Sequence, residues 1–223
     1  YRKKTRCSMK IEIKELTKVL SGNKVVDNVN ITMESGKVYG LCGYNGCGKT
    51  MLMRLIAGLI IPTTGSVSYD GKILGKHIGF PPSIGILIEN PAFLNSRSGF
   101  NNLKLLASIK GKTDEKTIAD AIRKVGLDPD DKKKYRKYSL GMKQRLGIAA
   151  AIMESPDLII LDEPTNALDS SGVKLTQKLI RQECERGALV IMTCHDKDIL
   201  ENVCDVIYNI EHGRIIDERN IQL

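Results

Sequence analysis

Eight residues, Gly43-Tyr44-Asn45-Gly46-Cys47-Gly48-Lys49-Thr50, carry the spacing GxxxxGK[ST] of a phosphate-binding loop. Such a loop needs glycine where the backbone takes conformations that a Cβ forbids, here Gly43, Gly46 and Gly48. Its amides then turn inward as a nest for phosphate oxygens, backed by the positive end of the helix that follows into Met51. Lys49 supplies a point charge for the β- and γ-phosphates, and the Thr50 hydroxyl is placed to ligate Mg²⁺. A second group, Asp162-Glu163, closes the apolar run Leu158-Ile159-Ile160-Leu161. Paired carboxylates at the C-terminal end of a central strand stand where open α/β sheets bind their ligands. Asp162 would hold Mg²⁺, and Glu163 would orient or deprotonate an attacking water, a role worth ~10²–10⁴ in rate.

These groups need elements to hold them. The run Val38-Tyr39-Gly40-Leu41-Cys42 reads as a buried strand entering the loop, and Leu52, Leu55, Ile56 and Leu59 repeat at helical spacing after it. Upstream, residues 11–16 and 25–33 alternate apolar and polar around the turn Ser21-Gly22-Asn23, which predicts an antiparallel sheet. A hairpin is expected around Asp70-Gly71, and a short strand at Ile84–Ile88. From Arg97 to about Ser155 the pattern becomes helical. One helix carries Leu103, Leu106 and Ile109, a second Ile118, Ala121, Ile122 and Val125, and a third, beginning near Ser139, Leu146, Ala149, Ala150 and Met153. Strand signals return at 158–161, 188–192 and 206–210, separated by helical stretches at about 171–186 and 196–202.

Strand–helix alternation around a phosphate loop implies an α/β fold of the P-loop NTPase (RecA-like) kind. Its sheet should be mainly parallel, with an antiparallel β subdomain and an inserted α-helical subdomain. The whole chain, 1–223, reads as one nucleotide-binding domain. Residues 9–96 and 156–223 form its core, 97–155 its helical part, and 1–8 an extension or tag ahead of Met9.

With these residues in place, the sequence resembles the ATP-binding cassette (ABC) family over residues 9–216. Ser139-Leu140-Gly141-Met142-Lys143-Gln144-Arg145 is similar to its LSGGQ signature, Asn166-Ala167-Leu168-Asp169 to its D-loop, and His195 to its switch histidine. The resemblance implies ATP and Mg²⁺ as ligands and ATP hydrolysis as the activity. It also implies that two cassettes close head to tail, so that Ser139 and Gly141 of one face the γ-phosphate held by the other. Asp169 would link the two sites, and His195 would donate to the γ-phosphate. Within that family, the segments 138–146 and 88–93 resemble the branch serving exporters of peptide antibiotics, including bacitracin and lantibiotic systems.

Three departures stand out. Leu20 occupies the place of an adenine-stacking aromatic, so looser base binding and tolerance of GTP are expected. Glu89 stands where a Mg²⁺-contacting glutamine is usual, and is expected either to face the metal or to swing away until a partner positions it. Leu140 and Met142 replace a glycine and a glutamine of the signature, while Ser139 and Gly141 keep its anion-binding groups.

Composition bounds the rest. An apolar share of 42% and a charged share of 27% suit an ordinary globular protein. No apolar run approaches the ~20 residues that cross a bilayer, so a separate multi-spanning permease would supply the membrane and hold this chain at its cytoplasmic face. The excess of 34 basic over 26 acidic side chains includes Lys132-Lys133-Lys134-Tyr135-Arg136-Lys137. That run is compatible with nucleic acid, with an anionic membrane surface, or with a merely solvated face. No specific nucleic acid is expected. The six cysteines form no CxxC pair and read as reduced thiols. The alternative to a transporter subunit is a soluble ABC ATPase that acts on nucleic acid or assembles a cofactor.

Overall fold

The computed structural model describes residues 9–111 and 113–221. The expectation for residues 1–8 lies outside them. In chain order the strands are β1 (Lys10–Leu20), β2 (Asn23–Glu34), β3 (Val38–Cys42), β4 (Thr64–Tyr69), β5 (Lys72–Ile73), β6 (Ile84–Leu87), β7 (Leu158–Leu161), β8 (Leu189–Thr193), β9 (Val206–Glu211) and β10 (Arg214–Asn220). The helices are α1 (Lys49–Ile56), α2 (Gly99–Lys110), α3 (Glu115–Lys124), α4 (Leu140–Ile152), α5 (Ser170–Glu185) and α6 (Lys197–Val203).

The larger sheet runs β10-β9-β3-β8-β7-β6, and its strands from β6 to β9 pair in parallel. Period-2 alternation buries it on both faces. Val38, Ile159, Leu161, Val190 and Met192 face one apolar cluster, built with α2 to α4. Tyr39, Leu41, Leu158, Ile160, Leu189 and Ile191 face the other, built with α1 and the antiparallel sheet β2-β1-β4-β5. This is the fold that strand–helix alternation implies: a mainly parallel P-loop NTPase sheet with an antiparallel sheet and a helical insertion.

Three local expectations are corrected. β10 was not foreseen. Its seven residues show no alternation, and as a charged antiparallel edge strand it needs none. In α2 only Leu103 of the three expected apolar residues is buried, whereas Leu106 and Ile109 are exposed. Leu59 lies past the end of α1 and is half exposed.

β8 is inserted between β3 and β7, although both precede it in sequence. Leu161 is level with Met192, and Leu41 with Thr193. The residues just beyond, Asp162 and Thr193, therefore meet at the C-terminal edge of the sheet, beside the loop that leaves β3.

Candidate active site

Gly48 ends the loop at φ 114°, and a Cβ there would lie 2.4 Å from the carbonyl of Val25. Gly43, at φ 149°, would press a Cβ to 2.3 Å from the carbonyl of Ile210. Only glycine fits at either end, so the loop is tied closely to β2 and β9. α1 starts at Lys49 with no side-chain cap, leaving its first amides for the loop's interior. Lys49 is buried, and its Nζ donates to the carbonyls of Gly43 (2.7 Å) and Tyr44 (3.0 Å). Asn45 and Gly46 are exposed, while Cys47 is buried beneath the loop and Met51 packs against the core.

The Thr50 hydroxyl donates to Oδ2 of Asp162 at 2.7 Å, and the buried Thr193 hydroxyl donates to Oδ1 at the same distance. Thr193 Oγ1 also accepts from the backbone amide of Glu163 at 2.8 Å. Phosphate loop, Asp162, Thr193 and Glu163 thus form one bonded chain. Glu163 is held on the remaining sides as well. Its Oε2 accepts from Asn166, its Oε1 lies 2.5 Å from Nε2 of His195, and its carbonyl accepts from Gln144. Its φ is 50°, a conformation that costs a non-glycine residue ~1–3 kcal/mol and persists only where the surroundings over-determine it.

The other expected residues gather elsewhere. Ser139 caps α4 by accepting from the Met142 amide, and Asp169 caps α5 and accepts from Arg145 at 3.0 Å. Ser139, Gly141 and Asp169 line one open cavity of about 580 Å³ with Arg145 and Leu168. Among the described residues, no hydrogen bond joins Ser139 or Gly141 to the phosphate loop. The site residues of one chain therefore fall into two separate groups.

Glu89 joins neither group. It sits at φ 62° just after β6, its side chain mostly exposed, and its carboxylate pairs with Arg54 of α1. Of the two expected dispositions, the structure displays the one turned outward to a cation of α1, with Thr50 and Asp162 bonded to each other instead. Leu20 lies at the end of β1 and is partly exposed.

Sequence reasoning missed Thr193, Gln144 and His212 as members of the site. The Tyr44 hydroxyl meets the ring Nδ1 of His212 at 3.0 Å and accepts from its amide at 3.2 Å, pinning the loop to the β9–β10 turn. A lone histidine 168 residues away gives no signal of this. Thr193 could have been suspected from its place between an apolar strand and His195.

A phosphate loop after a central strand, with a carboxylate pair one strand beyond its neighbour, defines a phosphate-loop nucleoside triphosphatase. The family model described as ABC transporter matches residues 26–166. The Bacillus subtilis ABC transporter ATP-binding protein YybJ is 47% identical over 92% of this chain and 94% of its own. The bacitracin transport ATP-binding protein BcrA of Enterococcus faecalis is 39% identical over 95% of this chain and 69% of its own. Among solved structures, the ATP-binding cassette MJ0796 shares the fold with a TM-score of 0.85 at 24% identity, covering 96% of this chain and 99% of that one. This chain belongs to the ABC transporter family, as an ATP-binding subunit that hydrolyses ATP.

Proposed function

We propose that this subunit powers a separate membrane permease, with export of a peptide antibiotic or similar compound as the work done. The observation that carries the catalytic part is the bonded chain Thr50–Asp162–Thr193–Glu163, which ties the phosphate loop to a clamped carboxylate. The transport part is supported by the likeness to the bacitracin transport protein BcrA. Among the described residues no helix is long and apolar enough to cross a membrane.

The oxygen donors of Thr50 and Asp162 suit a hard divalent cation, which needs few protein ligands when phosphates supply the others. Among the described residues no cluster of three His, Cys, Asp or Glu competes for it. Mg²⁺ held there would neutralise charge on the β- and γ-phosphates.

Lys49 and the loop amides hold the phosphates in line. Glu163 accepts a proton from water as the water oxygen attacks γ-phosphorus and the bond to the β-bridging oxygen breaks. His195, already against Glu163, donates to the γ-phosphate as its charge develops. Ser139 and Gly141 lie in a cavity that the phosphate loop does not line, so a second copy or a paralogous cassette must bring its own pair to this γ-phosphate, and Asp169 bridges the two sites. Hydrolysis removes the contacts that hold the pair shut, and reopening moves the permease at the cytoplasmic face of the membrane.

Glu163→Gln tests the reading. We expect hydrolysis to fall ~10²–10⁴-fold, ATP binding to persist, and size-exclusion chromatography with ATP to show a trapped pair. Turnover at the parent rate, or a monomer with ATP, would sink it. Co-purification with a multi-spanning protein supports the permease, whereas RNA or DNA affinity with a steep salt slope would favour the soluble alternative.

A further inference from the structure

Two cysteines stand side by side where β3 and β8 end. The strands run parallel with Leu41 level with Thr193, and the next residue on each is a cysteine, Cys42 and Cys194. Both side chains belong to the apolar cluster on one face of the sheet, with Val38, Val190 and Met192. Paired strands lie about 4.8 Å apart, inside the ~4.4–6.8 Å between Cα atoms that a disulfide spans. Both thiols are free, and both line an open cavity of about 760 Å³ shared with Tyr44, His195 and Lys197. A small solute can therefore reach two side chains that packing otherwise buries.

The neighbouring cysteines are placed differently. Cys47 is buried in the opposite cluster, under the phosphate loop, and Cys184 lies in α5. Cys204 shares the face but does not line the cavity. The Cβ that Gly40 lacks would lie 2.8 Å from its sulfur, and burial pushes its thiol well above the ordinary cysteine range. A thiol held protonated in this way is a poor nucleophile.

We propose that Cys42 and Cys194 form a dithiol site that peroxide closes to a disulfide. One sulfur attacks a peroxide oxygen, the O–O bond breaks, and a sulfenic acid and one water result. The second sulfur then displaces the hydroxyl of the sulfenic acid as another water. Two thiols and one hydrogen peroxide become one disulfide and two waters, which carry away both thiol protons. Sulfur is oxidised and peroxide oxygen reduced.

Closing the bond draws on the β8 side. Cys42 runs into Gly43, which is pressed too closely against the Ile210 carbonyl to give way. The sulfur of Cys194 now meets the Thr165 hydroxyl at 3.4 Å and must turn from it. The next residue, His195, lies 2.5 Å from Glu163, so the turn is passed to that contact. Losing one preorganised donor to developing charge costs ~10²–10³ in kcat. The bond follows from strand register and the shared cavity, whereas the loss of turnover rests on the role read above for His195.

The test treats the full chain with hydrogen peroxide, blocks the remaining thiols, and digests the unreduced protein with trypsin for mass spectrometry. Peptides 38–49 and 187–197 should be linked through Cys42 and Cys194, with Cys47 carrying the blocking group. Hydrolysis should fall ~10²-fold, nucleotide affinity far less, and dithiothreitol should restore the rate. Cys42→Ser and Cys194→Ser should each match the parent before peroxide and keep their rate through it. Absence of the link in the unsubstituted chain overturns the inference without any variant, as does a link from Cys194 to Cys47 or Cys204 instead. Inactivation of both variants to the parent's extent also overturns it, by placing the damage at another residue. A Cys42–Cys194 link with undiminished turnover would uphold the dithiol site and refute the role read for His195.

Discussion

The side-chain amide of Gln144 donates across 3.0 Å to the backbone carbonyl of Glu163. Gln144 is buried in the second turn of α4, the helix that Ser139 caps, so the helix lining the separate Ser139 cavity is tied to the carboxylate beside the phosphate loop. A tilt of α4 would be felt at Glu163, whose φ of 50° exists only because its neighbours impose it.

Gln144→Ala should therefore act on turnover rather than on binding. Loss of one net hydrogen bond, about 1 kcal/mol, corresponds to a kcat roughly five-fold lower. Steady-state hydrolysis set beside a fluorescent-nucleotide titration checks this. Equal losses in both, or none in kcat, would refute a positioning role.

Thr193→Val preserves shape but removes the hydroxyl that accepts from the Glu163 amide and donates to Asp162. Both partners lose a bond at a fully buried site, and an unsatisfied buried group costs about 1–3 kcal/mol. Urea denaturation should show a lower midpoint with an unchanged slope. The Mg²⁺ concentration for half-maximal hydrolysis should rise as well. A variant matching the parent in both would remove Thr193 from the site.

Glu89 and Arg54 form an exposed pair, so breaking it should cost stability less than about 1 kcal/mol. Glu89→Gln should preserve ATP binding and change hydrolysis only when the membrane partner is present. Partner-stimulated rates identical to the parent's would show that the segment after β6 does not report on the partner.

Asp27 joins β2 to β10 through Arg214, with Nε at 2.6 Å, and also accepts from Lys24. The hydrogen bond from Lys24, followed by that from Arg214, lowers its pKa below the ordinary carboxylate value. A folded-state pKa below the unfolded one gives stability that is complete above the unfolded value and lost as pH falls through the folded one. Asp27→Asn should accordingly lower the melting temperature at neutral pH and flatten its decline with acid. An unchanged acid limb in Asp27→Asn would locate that sensitivity elsewhere.

Much of this was legible in the chain because its signals are local. The loop from Gly43 to Thr50 is contiguous, the carboxylates end one apolar run, and the strands of the parallel sheet are buried on both faces, so each is a short apolar stretch. Leu106 and Ile109 misled because helical spacing shows that a face exists but not what covers it. β10 was silent because an exposed edge strand has no side to bury.

By itself the sequence determined the chemistry: a phosphate nest, a lysine and a carboxylate pair, each defined by neighbours a few residues apart. Only the tertiary structure decided how they are joined. Strand order placed β8 between β3 and β7, and register set Thr193 level with Asp162, so a residue without a motif became the link between them. Packing likewise put Ser139 and Gly141 in a cavity that Lys49 does not line. Spacing along a chain cannot encode such relations, because they arise from which strands lie side by side once the core is buried.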